Sequence, residues 1–175
     1  MAWPGRLALR PDDGFTMNKT KLLERIVAQL SEAFAVLERA AKTSHAEATH
    51  ESSKAENKYD TRGLEAAYLA GGQARQAKEI LDSIELYRSL PIKAFEPGDP
   101  IDLTALVELE VDGYPSTYFM GPRSGGQEIV WRRQEVTVIT PQSPLGQELM
   151  GKKAGQRWTG RRGGATLKYH LFSVT

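Results

Sequence analysis

The stretch Ala55-Glu56-Asn57-Lys58-Tyr59-Asp60-Thr61-Arg62-Gly63-Leu64-Glu65-Ala66 is a short polar interruption between two long helical repeats. Before it, Leu23, Leu30 and Leu37 recur every seven residues, with Ile26 or Val27, Ala33 or Phe34, and Ala40 or Ala41 between them. That is the 3-4 spacing of a coiled-coil seam. After it, Ala70, Ala74, Ala77, Leu81 and Ile84 step by four and three until Pro91, whose missing N–H and ring clash stop a helix. The spacing predicts one helix from about Lys19 to about Ser52 and a second from about Gly63 to about Leu90. Two such helices joined by a short polar turn can only pair antiparallel, as a hairpin about 40 to 50 Å long at about 1.5 Å per residue. Alanines replace leucines toward the turn, at Ala46, Ala48, Ala66 and Ala67, so the far end is narrow. Gly71-Gly72 costs about 2 kcal/mol in helix propensity and permits either close helix packing or a local bend.

With 175 residues and a hydrophobic fraction of 40%, the chain has material for one or two domains with a globular core. A formal net charge of +1 supplies no global basic field for duplex nucleic acid or an anionic membrane. No cysteine is present, which excludes disulfides and thiolate metal sites. Met1 to Thr16 contain only the short apolar run Leu7-Ala8-Leu9, not the apolar core of a signal peptide, and no stretch reaches membrane-spanning length. The expectation is a soluble cytoplasmic protein. Met17 stands immediately before the first helix, so it is read as the native start, with residues 1–16 a disordered extension.

Residues 91–100 carry three prolines and a glycine without periodicity and read as a linker. The expected boundaries are therefore a hairpin over 17–90, a linker over 91–100 and a second domain over 101–175. In that domain Leu103, Ala105, Val107, Leu109 and Val111 alternate, and Asp112-Gly113 predicts a tight hairpin turn before Tyr114 to Met120. Ile129 to Trp131, Val136 to Ile139, Arg157 to Thr159 and Leu167 to Val174 are further strand candidates. Ser143-Pro144-Leu145-Gly146-Gln147-Glu148-Leu149-Met150-Gly151 reads as one short helix, with an N-cap serine, a proline at the first helical position and a terminal glycine. It is expected to bury Leu145 and Leu149 against one end of the sheet. The fold class is α+β: an antiparallel coiled-coil hairpin followed by a small antiparallel β domain with one helix.

The hairpin of some seventy residues, the Glu56-Asn57 pair near its tip and the run Ile139-Thr140-Pro141-Gln142-Ser143-Pro144-Leu145-Gly146, followed by Leu149-Met150-Gly151-Lys152, together resemble the Gre family of bacterial transcript-cleavage factors. The resemblance covers about Met17 to Thr175, and the C-terminal run is its most specific part. It implies an FKBP-like second domain that docks on the rim of the RNA polymerase secondary channel, with Ser143, Pro144 and Leu145 on the partner-facing helix. It also implies a coiled coil that passes down the channel to the 3′ end of the nascent RNA. There two tip acids help hold a second Mg²⁺, shared with the polymerase active site, and activate water to cut backtracked RNA.

The family tip reads Asp, two residues, Glu, Asn. Laying Glu56-Asn57 on the last two puts Ser53 at the first acid, whereas counting back from helix two makes Glu56 and Asp60 the pair. The second register is preferred, because the chemistry needs two hard oxygen donors on one ion. Two acids alone make a poor self-sufficient site, which suits a protein lending ligands to a metal its partner already holds.

Other residues carry weaker signals. His45 and His50, beside Glu47 and Glu51, are five residues apart and about 140° around a helix, so the imidazoles do not share a face. Tyr59 and Tyr68 could stack on RNA, with packing over the narrow tip the preferred reading. Arg62 and Arg75 could meet RNA phosphates. Lys152-Lys153, Arg157 and Arg161-Arg162 read as a solvated basic edge facing a protein, Arg161-Arg162-Gly163-Gly164 as a hairpin turn, and Trp131 and Trp158 as core. The leading expectation is an elongation factor, monomeric and not an enzyme alone. Its rivals are a secondary-channel regulator that does not cut and a dimerising coiled-coil adaptor.

Overall fold

A computed structural model describes residues 18–49, 62–131 and 134–175. Among them the element order is α1 (Lys19–Thr49), α2 (Arg62–Ser89), β1 (Leu106–Val111), β2 (Tyr114–Met120), β3 (Glu128–Trp131), β4 (Gln134–Ile139), α3 (Pro144–Leu149), β5 (Arg157–Arg162) and β6 (Ala165–Val174). The described chain divides into two compact units, one within Leu23–Leu90 and a second that joins Pro91–Thr175 to Asn18–Leu22. Met1 to Met17 lie outside the described residues, as do the expectations that fall on them.

Helix α1 starts at Asn18 because the Asn18 carboxamide oxygen accepts from the backbone N–H of Thr20 at 2.9 Å and of Lys21 at 3.3 Å, an N-cap. Its inward face is Leu23, Ile26, Leu30, Phe34 and Leu37, with Val27 and both Ala40 and Ala41 half-buried beside it. Of the open alternatives, Phe34 faces inward and Ala33 is exposed.

The inward face of α2 differs from the expected one. Ala77 and Ile84 are on it, but Ala74 is exposed and Leu81 is 41% exposed, while Gln73, Ile80 and Tyr87 take the inward places. From Ala77 both a four-then-three and a three-then-four step reach Ile84. Tyr87, only 1% exposed, anchors the second. Ser83 is buried on this face without penalty because its hydroxyl donates to the Glu79 carbonyl at 2.8 Å, and Ser31 in α1 does the same to Val27. Helix α2 runs unbroken through Gly71 and Gly72, and among the described residues nothing lies within 4 Å of where a Cβ would sit on either. Among the described residues no close packing accounts for them.

The second unit is built on a six-stranded sheet of order β3-β4-β2-β1-β6-β5. Its pairs are antiparallel except β2 and β4, which run parallel, a departure from the wholly antiparallel sheet expected. The reason is the path of the chain. After Met120 it forms β3 at the sheet edge, turns back through the β3–β4 hairpin, and so returns along β2 in the same direction. Asp112 and Gly113 take φ of 49° and 86°, the two left-handed positions of the tight turn that an Asp-Gly pair specifies. Gly163 and Gly164, at 57° and 85°, make the β5–β6 turn in the same way.

The first strand begins at Leu106, not Leu103. Thr104 sits at φ 67°, breaking the extended run, and its buried hydroxyl accepts from the Lys93 N–H at 3.0 Å. That bond belongs to a segment expected as a linker. Residues 91–100 fall in the same compact unit as the sheet, with Phe95 packed against its core and the Glu96 N–H held by Asp99 at 3.0 Å. The core itself gathers Ile101, Val107, Leu109, Met120 and Leu171 from segment and strands, with Leu145 and Leu149 from α3. Val138, Phe119 and Leu106, paired in a row across β4, β2 and β1, are also buried.

Candidate functional site

The described part of the candidate site is α3 and its surroundings, where every residue of the Ser143-Pro144-Leu145-Gly146 run has a stereochemical task. Ser143 is in an extended conformation. Its hydroxyl accepts from the Gly146 N–H at 3.1 Å and donates to the Thr140 carbonyl at 2.8 Å. Pro144 occupies the first helical turn, where its missing N–H costs nothing. Leu145 points into the core, 4% exposed. Gly146 admits the Thr140 carbonyl, since a Cβ there would lie 1.8 Å from that oxygen. A fixed knuckle results, whose outer surface is Pro144 flanked by the exposed Gln142 and Gln147. Gln147 Nε2 donates to the Gln142 carbonyl at 3.0 Å and holds the two together. Of the three residues expected to face a partner, Pro144 has its side chain exposed, Ser143 is half-buried in its cap, and Leu145 is spent on the core.

The opposite side of α3 is tied to the sheet by Glu148, which accepts from Trp158 Nε1. Gly160 makes room for that carboxylate, as a Cβ there would meet Glu148 Oε1 at 2.5 Å and Tyr169 Cε2 at 3.1 Å. Trp158 stacks on Tyr169 with ring centroids 5.1 Å apart and planes 7° from parallel, and Lys152 Nζ stands 4.6 Å from the Trp158 centroid. Trp158 is thus half-buried against the core, with one face given to a lysine. Trp158 was read as core from the sequence, but its junction with Glu148 was not legible there, because the two are joined only by the fold.

Of the expected basic edge only Arg157 lines a groove, and that groove is of mixed charge. An open depression of about 920 Å³ is lined by Glu110, Asp112, Arg157, Lys168 and His170. In register, Glu110 pairs with His170 and His170 with Arg157, so unlike groups stand side by side across three strands.

Glu56 and Asp60, expected as catalytic and metal-binding, lie outside the described residues, as do Ser53, Asn57, Tyr59, His50 and Glu51. The same holds for the side chains of His45, Glu47, Arg62, Trp131 and Arg162. Tyr68 is described, and the preference for packing fails there, as it is 73% exposed on α2 with Leu69 beside it at 57%. Arg75 is exposed as well. Among the described residues no group of three His, Asp or Glu side chains is placed to hold a metal ion, and no helix is long and apolar enough to cross a membrane.

No protein-family model and no curated protein matches the chain. Among solved structures it is similar to Gfh1 of Thermus aquaticus, at 22% identity over 89% of this chain and 93% of that one, with a TM-score of 0.35. It is also similar to GreA factor homolog 1 of Thermus thermophilus, at 19% identity over 85% and 94% with a TM-score of 0.34. A third is the elongation factor GreA/GreB of Nitrosomonas europaea, at 17% identity over 67% and 95% with a TM-score of 0.34.

Proposed function

We propose that the chain is a transcription elongation factor that binds RNA polymerase, places its helical hairpin in the secondary channel and stimulates cleavage of backtracked RNA. The observation that carries this reading is the knuckle at Ser143-Pro144-Leu145-Gly146. The run that most specifically resembles the Gre family folds as a capped helix start whose glycine cannot be replaced without displacing the Thr140 carbonyl. Pro144, Gln142 and Gln147 form the surface offered to the polymerase. Helices α1 and α2, at about 1.5 Å per residue, give a probe of about 40 Å, long enough to reach from a rim into a channel. Glu56 and Asp60 lie in sequence between them. As hard oxygen donors they fit Mg²⁺, but two carboxylates are too few for a self-sufficient site, so the ion would be shared with the polymerase. When bound, Mg²⁺ supplies an activated water, and the hydrolysis belongs to the polymerase. A cytoplasmic monomer goes with this reading.

The test is a purified backtracked elongation complex incubated with the protein and Mg²⁺. Release of 3′ RNA fragments is expected. Glu56→Ala or Asp60→Ala should remove most of it while polymerase binding persists, with the double variant little worse than either, since ligands acting on one ion are non-additive. Wild-type cleavage by both variants would rule out the ligand assignment. The register that puts Ser53 at the first acid favours a second reading, a secondary-channel regulator that does not cut. An unmutated protein that never stimulates cleavage, yet competes with a cleavage factor for polymerase, would establish that alternative.

A further inference from the structure

The sheet has one face against α3 and one turned away from it, and the second carries two walls of opposite charge. Val107, Leu109, Tyr169 and Leu171 share a core with Leu145 and Leu149 of α3. Side chains alternate across a strand, so Glu108, Glu110, Lys168 and His170 point the other way. On β1 these outward residues are acids, and Asp112 follows at the turn. On β5 they are Arg157, Thr159 and Arg161, all exposed. Strand β6 runs between the walls and holds them about 10 Å apart, two strand spacings. Glu110 and Arg157 both stand in register with His170, and among the described residues neither makes an ion pair. A register shift between Glu108 and Leu109 leaves Phe172 as an extra residue of β6, 48% exposed, its ring centroid 4.1 Å from that of His170.

We propose that the sheet unit pairs weakly with a second copy of the chain through this face, about a two-fold axis parallel to β6. A partner of one sign is attracted at one wall and repelled at the other. A surface that sets acids opposite β5 and cations opposite β1, at the same spacing, is a second copy of this face. Rotation about β6 exchanges the two walls, and a two-fold contact makes every complementary pair twice.

In the pair, Glu110 of each copy lies opposite Arg157 of the other. Phe172 meets its own counterpart at the axis, which gives the contact an apolar centre beside the two His170 rings. Lys168 also meets its counterpart. Asp112 Oδ1 accepts from the Lys168 N–H at 2.6 Å, so a carboxylate stands on the same row of each copy and limits that repulsion. Pro144 stays uncovered, because α3 packs on the opposite face. The pairing does not rest on the polymerase reading, and at the dilution of a polymerase assay the chain is a monomer.

The experiment is sedimentation of the full chain from about 10 μM to about 1 mM in about 0.03 M salt, where exposed charges are least screened. Reversible self-association is expected, weakening as salt rises to about 0.5 M. A chain that stays monomeric throughout, or associates more tightly as salt rises, would overturn the proposal. Glu110→Arg and Arg157→Glu should each weaken association about tenfold or more, since each reversal acts twice in a two-fold pair. Mixed in equal amounts, the two variants should regain it as a 1:1 species. One is then cationic at both positions and the other anionic, a recovery that damage to either fold does not imitate. Single variants that associate like the wild type, or a mixture that stays monomeric, would remove the two-fold arrangement. Should either reversal unfold early, Glu110→Gln and Arg157→Gln take its place, each expected to weaken association about threefold, and no weakening ends the idea. Charge variants that self-associate normally but lose the proposed cleavage stimulation would assign this face to the polymerase instead and overturn the pairing.

Discussion

Gly146 in α3 and the Gly71-Gly72 pair in α2 are both glycines inside helices, and they stand in opposite surroundings. A Cβ on Gly146 would meet a backbone carbonyl at 1.8 Å, whereas one on Gly71 or Gly72 would meet nothing within 4 Å. The contrast extends to the units that carry them. In the sheet unit small residues mark close approaches, at Gly146 to Thr140 and at Gly160 to Glu148. Both units leave sizeable apolar side chains in solvent, Tyr68 and Leu69 on the helices and Tyr114 and Val130 on the sheet, so exposure does not separate them and the close glycine contacts do. One unit is specified by fit, the other by a stripe along two helices.

The most damaging substitution should be Gly146→Ala. Neither a carbonyl fixed by two hydrogen bonds from Ser143 nor a helix start can yield 1 Å or more without moving α3. A loss of at least about 4 kcal/mol is expected in denaturant unfolding, at the severe end for a single methyl. A loss below about 1 kcal/mol would show that the knuckle is pliable and the contrast between the units overstated. Leu149→Ala comes next. The side chain is fully buried between α3 and the strands, so truncation should cost about 2 to 5 kcal/mol by lost burial and cavity formation. An unchanged unfolding midpoint would place this leucine outside the core.

The two units also differed in how much their sequence revealed. Asp112-Gly113 announced its turn because two left-handed residues in a row admit few alternatives, and Ser143-Pro144 announced a helix start for equally local reasons. What escaped was non-local. The parallel pairing of β2 with β4 depends on β3 taking the edge, which no dipeptide encodes. Thr104 in a left-handed conformation is held by a hydroxyl bond to Lys93, eleven residues away. In α2 the alanine-rich repeat permits two readings from Ala77 to Ile84, and only the burial of Tyr87 selects between them. Of the candidate site, the cap and the core role of Leu149 were legible locally. The junction of Glu148 with Trp158 needed the fold, and the acids near the tip were placed by counting alone.

Ser143→Ala sharpens the comparison at smaller scale. The cap hydroxyl makes two hydrogen bonds, yet the Ser143 N–H also reaches Thr140, at 2.9 Å, and remains after the substitution. A loss of about 1 kcal/mol is expected by chemical denaturation, the usual value for an N-cap. If Ser143→Ala costs as much as Gly146→Ala, the hydroxyl, not the glycine, is what sets the knuckle.

The smallest effect should have the opposite sign. Gly71→Ala and Gly72→Ala each place a methyl in open space on a continuous helix, where neither residue has a left-handed φ. Alanine removes conformational freedom from the unfolded chain and adds no clash, so each variant should be more stable by about 0.4 to 1 kcal/mol. The two are adjacent, point about 100° apart around the helix and share no described neighbour, so the double variant measures how far neighbouring gains add. Thermal unfolding of the single and double variants measures this directly. A destabilised single variant would mean that the open space is occupied in the working molecule, and would move Gly71-Gly72 into the same class as Gly146. A gain in stability joined to a loss of the proposed cleavage stimulation would instead assign the pair to the motion or docking of the hairpin.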